Sequence, residues 1–432
     1  MKPEDRVAGL HGIRHRVLLQ KIFTMAQRQF FYAMAPPFSG GFIAREQLSN
    51  IIIMRFIVTT ENLLAGTKRV QNAVSSKPIT PILNNILIEA KDGQLCLTAY
   101  DNEMRITTAV SAMVTEEGAI TLPAKNFASI VGAQQSGDIS IENDEGDTDV
   151  RLSCHKVKYQ LNGISAVDFP QADNFEEEWS FTIPGNELVD SLRRVNYARS
   201  EDENRKALNG IYVSLKDGIR TVAATDGRRL ALTEQTIENG PQDLRPPLAA
   251  GEEAAAPRAC DFILPNKVVS ELIGSVDQSK EVKIHLTGAM AVFENGATTI
   301  MSKLVEQSYP NYRSVVPVNF ANQVTIPRAL LIEVLKRAKT VVSTSDSSVT
   351  LNIQDNQLEL SASSSEKGSF VETIDVKLEG EPITISLNPD YLADPLRVLA
   401  CDDFVIKYNN GFTPVEITGD PGFIYILMPM RN

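Results

Sequence analysis

At 432 residues the chain is too long for one hydrophobic core, and roughly two to four domains are expected. With 43% hydrophobic and 22% charged residues it has an ordinary globular make-up, and no apolar run reaches transmembrane length. The formal charge of −12 at first argues against a nucleic-acid partner.

Residues 1–53 stand apart from the rest of the chain. Lys2, Arg6, Arg14, Arg16, Lys21, Arg28 and Arg45 meet only three acids there, and no continuous apolar segment supports a secretory signal. A basic, acid-poor leader suits an organellar transit peptide or an upstream extension. The extension is preferred because Met54 opens the first repeat like a start, and little order is expected in it.

From Met54 one phrase recurs: a few β-type residues, a proline, then apolar residues at helical spacing. Phe56-Ile57-Val58-Thr59 leads into Leu63 and Leu64 without the proline, and Ile120-Thr121-Leu122-Pro123 leads into Phe127, Ile130 and Val131. Thr182-Ile183-Pro184 leads into Leu188, Leu192 and Val195, and Phe262-Ile263-Leu264-Pro265 into Val268, Val269, Leu272 and Ile273. Val324-Thr325-Ile326-Pro327 precedes Leu330, Leu331, Val334 and Leu335, and Ser386-Leu387-Asn388-Pro389 precedes Tyr391, Leu392 and Leu396. Proline is expected as the first helical residue, where its missing N–H costs nothing. The prolines at 123, 184, 265, 327 and 389 lie 61, 81, 62 and 62 residues apart. The long gap holds a Pro-, Ala-, Gly- and acid-rich insert over 236–259. Pro395, inside the last helix, is expected to kink it.

Six such units have one helix each to cover a sheet, so they must pair to bury both helices. The expected fold is α+β with three similar domains, about 54–174, 175–319 and 320–432, each with two helices on one side and strands on the other. Joining domains through edge strands would make the sheets continuous and set all helices on the inside; a symmetric dimer is the simplest closure of the ends. The helical windows 62–74, 124–135, 185–200, 266–275, 328–340 and 390–400 carry twelve Lys and Arg against six Asp and Glu, so the acid sits elsewhere. Solvated helix faces explain that bias as well as a nucleic-acid surface does.

Cys96, Cys154, Cys260 and Cys401 lie beside strand-like runs without CxxC spacing, so buried free thiols in a reducing compartment are expected, and the four histidines make no metal-ligand pattern with them. No phosphate loop, nucleophile elbow or HExxH occurs. Thr225-Asp226-Gly227 reads first as a turn; the alternative is an α/β repeat enzyme with a domain-junction site using Asp226.

Leu208-Asn209-Gly210 with Ala224-Thr225-Asp226-Gly227-Arg228-Arg229-Leu230-Ala231 closely resembles the bacterial DNA polymerase III β-subunit (sliding clamp) family. So do Ser302-Lys303-Leu304-Val305, Tyr309-Pro310-Asn311-Tyr312-Arg313 and the terminal Met428-Pro429-Met430-Arg431, and the likeness runs from Met54 to Asn432. The resemblance implies a head-to-tail homodimeric ring around duplex DNA, bound without reading sequence. It would tether the replicative polymerase α subunit, the clamp loader and other proteins carrying clamp-binding peptides, in the bacterial cytoplasm at the nucleoid. No catalysis, cofactor, metal or membrane is implied. Lys68, Arg69, Arg193, Arg194, Lys336, Arg337 and Lys339 would face phosphates, and Lys77, Lys125, Arg205 and Lys206 match positions of DNA contact. A pocket for Leu- or Phe-anchored peptides would comprise Leu208, Thr225, Gly227, Arg228, Arg229, Leu230, Pro310, Val315, Tyr391, Ile426, Met428, Pro429, Met430 and Arg431. Ser314 and Pro414 depart from the family pattern at its rim, and the Asp202 contact is not carried over.

Overall fold

The computed structural model describes residues 53–74, 80–144, 148–172, 175–237, 240–244, 260–343 and 348–430. Nearly all of the leader, Lys77, Arg431 and most of the 236–259 insert lie outside the described residues. Six helices of nine residues or more occur among those described: α1 Thr60–Val70, α2 Ala124–Gly132, α3 Gly185–Asn196, α4 Asn266–Ser275, α5 Arg328–Ala338 and α6 Pro389–Val398. Each comes after a strand in the expected order, and no helix among the described residues is long and apolar enough to cross a membrane.

The prolines sit differently from expectation. Pro123, Pro184, Pro265 and Pro327 are N-cap residues rather than first helical residues, and only Pro389 occupies the first turn proper. Pro123, Pro184 and Pro327 also close their strands. With φ locked near −60° and ψ extended, proline ends a strand and points the chain into a helix in one step. Proline offers no side-chain acceptor, so the helix N–H groups look elsewhere. The first amides of α3 and α5 donate to the Lys280 and Asp402 carbonyls, and that of α1, which is capped by Thr59, makes the same bond to Gly137, each at 2.9 Å and each just before an equivalent strand. At α3 the approach leaves no room for a side chain: a Cβ on Gly185 would lie 2.6 Å from the Lys280 oxygen. Where Pro389 takes the first turn, Asn388 caps instead, accepting from the amides of Asp390 and Tyr391.

The same antiparallel pairing recurs in each third of the chain: Met54–Thr59 with Asp138–Asn143, Trp179–Pro184 with Glu281–Leu286, and Asn322–Pro327 with Asp403–Tyr408. Four sheets result, and two of them cross from one third to the next. In the ten-stranded sheet Met104–Ser111 pairs with Thr298–Lys303, with Ile106 opposite Ile300. In the nine-stranded sheet Arg229–Thr236 pairs with Phe423–Leu427, with Leu230 opposite Ile426. The five-stranded sheet ends at Val157–Asn162 and the four-stranded sheet at Gly368–Asp375, each on a strand with no further neighbour among the described residues.

The helices meet along one side of this framework. α1 packs on α2, α3 on α4 and α5 on α6, and α3 also touches α6. The Asn72 amide just after α1 donates to Glu271 of α4 at 2.8 Å, Arg69 reaches Thr298, and Lys267 of α4 pairs with Asp101. One apolar core runs from Met54 to Leu427 through all three thirds. Cys154 and Cys260 are buried, Cys96 and Cys401 half-buried, and none is disulfide-bonded. Pro395 does not end α6, which continues to Val398. Its missing N–H leaves the Tyr391 carbonyl one turn back without its helical donor, and the Tyr425 hydroxyl donates to that oxygen at 2.8 Å.

Glu89 carries a desolvation cost within the framework. It is buried on Asn85–Lys91 opposite Cys96. Burial pushes its carboxyl up to about 7 against the opposing pull of Arg105 and Lys91, and burial raises the Cys96 thiol to about 12. A carboxyl whose folded pKa exceeds its unfolded value binds extra protons in the native state, so stability falls as pH rises from about 4.5 to about 7. Glu89→Gln is expected to flatten that slope and raise stability above pH 7 by on the order of 3 kcal/mol, read from urea midpoints across pH 5 to 8.

Candidate nucleic-acid face and partner groove

Six of the basic side chains sit near the C-terminal ends of their helices. Lys68 and Arg69, Arg193 and Arg194, and Lys336 and Arg337 occupy the last turns of α1, α3 and α5, where a cation is already favoured by the helix dipole. Lys68 and Lys336 are exposed and have no carboxylate partner among the described residues, and Lys125 is exposed at the start of α2. Arg193 is exposed and donates to the Ile273 carbonyl at 3.4 Å. Lys206 is exposed, and the exposed Arg205 donates to the Asp226 carbonyl at 2.9 Å.

The others are spoken for. Arg194 bridges Asp190 at 2.6 Å and Asp420 at 2.7 Å, Arg337 grips Glu372 with two nitrogens at 2.6 and 2.9 Å, and Lys339 pairs with Asp390. Arg69 is half-buried on Thr298. An ion-paired cation presents little net charge, so the positive character of the helix side rests mainly on Lys68, Lys125, Arg193 and Lys336.

The second constellation grows from the Arg229–Thr236 and Phe423–Leu427 pairing. The loop before it is a hydrogen-bonded turn: the Thr225 hydroxyl accepts from the Gly227 amide at 3.0 Å and donates to the Arg229 carbonyl. One Asp226 carboxylate oxygen accepts from the Arg228 and Arg229 amides, and the other takes the Arg229 side chain at 3.0 Å. Gly227 has φ +91°, a conformation that favours glycine. With both oxygens engaged, Asp226 is a turn residue, and the alternative of an enzyme built on it is not supported.

Pairing of these strands buries Leu230 against Ile426 beside Ala223 and Leu232, with Tyr312 and Val316 packed over them. That brings the 310–316 segment across the same junction. Tyr309 stacks on Tyr212 at 5.0 Å, Val315 is 53% exposed, and the exposed Pro310 accepts from the Tyr312 amide. Beyond the last strand, the Met428 amide donates to the Arg228 carbonyl at 3.0 Å and the Met430 amide to the Ser386 carbonyl at 2.8 Å. Met428 stays 43% exposed, and Pro429, Met430, Leu208 and Tyr391 are half-buried. Exposed methionine, valine and proline lying over a buried aliphatic floor are the candidate for an adaptable apolar groove. Ser314 donates to the Asn311 carbonyl at the rim.

Arg229 lies within this groove, yet its side chain is only 9% exposed. Besides Asp226, it donates to Asp394 of α6 at 2.6 Å and to the Tyr197 carbonyl at 2.5 Å, and its guanidinium lies 4.0 Å over the Tyr391 ring. Nothing in the sequence alone singles out Asp394, Tyr197 or Tyr425. Pro395 is the available signal, because a helix-interior proline demands a donor for the carbonyl it orphans.

Three family models match the chain: the DNA polymerase III beta subunit N-terminal domain over residues 54–173, the central domain over 182–311 and the C-terminal domain over 313–431. The beta sliding clamp of Synechocystis sp. is 32% identical over 396 residues, covering 88% of this chain and 99% of that protein. The beta sliding clamp of Caulobacter vibrioides is 28% identical over 386 residues, covering 88% and 100%. Among solved structures, a putative DNA polymerase III beta subunit from Eubacterium rectale superposes with a TM-score of 0.79 at 28% identity, covering 88% of this chain and all of that one. A sliding clamp from Pseudomonas aeruginosa bound to griselimycin gives 0.80 at 25% identity with the same coverage.

The proline-freed carbonyl gives a direct test of the junction. Tyr425→Phe is expected to cost about 1 to 3 kcal/mol in chemical denaturation, because the Tyr391 oxygen loses its donor. Adding Pro395→Ala restores a backbone N–H, so the double variant should lose less than the sum of the single changes.

Proposed function

The chain belongs to the DNA polymerase III beta-subunit family of sliding clamps, and on that premise we propose that two copies close head to tail around duplex DNA and tether the replicative polymerase to it. The observation that carries this reading is a matched pair of open strand edges. At both internal joints, the third strand after the helix in one domain's first half pairs with the last strand of the next domain's second half. Gly368–Asp375 and Val157–Asn162 are the two remaining strands of those same kinds. Each exposes an apolar residue, Val371 at 62% and Val157 at 44%. A second copy supplies each edge with its partner, giving a third joint like the first two and closing a ring of six domains.

In that ring the helices face the opening, and Lys68, Lys125, Arg193 and Lys336 meet phosphates without reading bases. Arg205 and Lys206 belong to the same contact set, with Lys77 outside the described residues; Arg69 joins it once it leaves Thr298, and Arg194, Arg337 and Lys339 once their carboxylates yield. The acid-rich remainder of the chain keeps DNA off the outside. The groove around Leu230, Ile426 and Met428, with Arg431 beyond the described residues, takes Leu- or Phe-anchored peptides of the polymerase α subunit, clamp loader and other partners. The protein acts as a non-catalytic processivity factor in the bacterial cytoplasm, at the nucleoid.

Retention on DNA tests the topology. Protein loaded on nicked circles should survive gel filtration and be lost once the circle is linearised, and equal loss from both forms rules out encirclement. The phosphate assignment has a separate readout: in Lys68→Glu/Lys336→Glu the slope of log affinity against log salt should shrink by about 2, and an unchanged slope removes those lysines from the contact set.

A further inference from the structure

A partner groove assembled from two domains works only if those domains hold one spacing. The second-domain wall is the Thr225–Leu230 turn, and the third-domain wall is α6 with the chain beyond Leu427. Their backbones meet in the strand pair, but α6 itself is not part of the sheet. Two side-chain hydrogen bonds join it to that strand pair. Arg229 reaches out of the second domain to Asp394 at 2.6 Å, and the Tyr425 hydroxyl holds the Tyr391 carbonyl freed by Pro395.

The Arg229 guanidinium has a partner at each of its three nitrogens. Nε donates to Asp226, Nη1 to Asp394 and Nη2 to the Tyr197 carbonyl, while the plane rests on the Tyr391 ring. Asp394 is equally committed, with one oxygen on Arg229 and the other on Arg397 at 3.0 Å. A buried cation so enclosed does not serve as a free hand for a ligand carboxylate. It fixes the distance between two walls and the attitude of the Tyr391 ring between them.

We propose that Asp394 is a positioning residue of the partner groove: through Arg229 it locks α6 and Tyr391 against the Thr225–Leu230 turn, so that peptide capture and docking of the second and third domains are one coupled equilibrium. This rests on the groove being the peptide site. Without the Asp394 carboxylate, Arg229 keeps a single acidic partner and is drawn toward solvent, into the space a peptide anchor would fill. The groove must then be reassembled at each binding event, and affinity falls through lost preorganisation.

The test uses the full chain and a fluorescein-labelled synthetic peptide carrying adjacent Leu and Phe, with affinity from polarisation and rates from stopped flow. Asp394→Asn is expected to weaken binding about tenfold, through faster dissociation. A fold that is merely destabilised lowers the fraction of competent protein and leaves the dissociation rate unchanged. Asp394→Glu, which keeps the charge, should recover part of the loss. Arg397→Ala, which removes only the outer partner of Asp394, should bind within about twofold of the parent. Unchanged affinity in Asp394→Asn despite a lower melting temperature overturns the proposal, as does an equal loss in Arg397→Ala. If Asp394→Asn does not fold, Asp394→Glu carries the test, and parental affinity in that variant is the overturning result. The groove reading fails separately: the parent then does not bind the peptide, or Met428→Ala binds as the parent does, and the proposal falls with it.

Discussion

Everything in this protein hangs on the satisfaction of strand edges across domain boundaries. A strand at the rim of a sheet carries a row of backbone donors and acceptors that must find partners or water. Met104–Ser111 finds them on Thr298–Lys303, and Arg229–Thr236 finds them on Phe423–Leu427. Because the partners come from a neighbouring domain, hydrogen bonding, and not only side-chain packing, dictates how the domains are arrayed. The helices then have no choice of side. They lie together against one face, tied by Asn72 to Glu271 at the first joint and, at the second, by Arg194 to Asp420 of the turn before the last strand.

The groove is a by-product of the second joint. Pairing Leu230 with Ile426 lays an aliphatic floor, and the chain leaving each strand becomes a wall. The first joint has the same backbone logic but different side chains: Thr108 and Thr298 bond to each other there, and Arg105 is covered by Tyr100 and the Pro170 carbonyl. Identical topology therefore yields one adaptable apolar surface and one polar, filled seam. The difference lies in which residues flank the strands.

Much of the fold is legible in the sequence because its signals are local and repeated. A strand running into a proline and then an apolar stripe needs only a dozen residues to declare itself, and six helices appear where that phrase occurs. The detail that differs is also local: proline φ suits both the cap and the first turn, and the sequence does not choose between them. The site is less legible for a different reason. Arg194, Arg337 and Lys339 look like available cations in a linear reading, yet the acids that engage them include Asp420, Glu372 and Asp390, all far along the chain from the cations they hold. Arg229 is visible as a motif residue, but its burial depends on Asp394, 165 positions away. Partners of charged groups are set by tertiary packing, which periodicity does not encode.

The continuous sheets bear on how the molecule answers a pull. Tension applied along the strands of a joint must break a whole ladder of bonds together, whereas a peeling load opens them one at a time. The backbone layer thus behaves as a leaf spring, stiff to stretching and yielding at its rims, so the outermost strands are expected to part before the two interior seams.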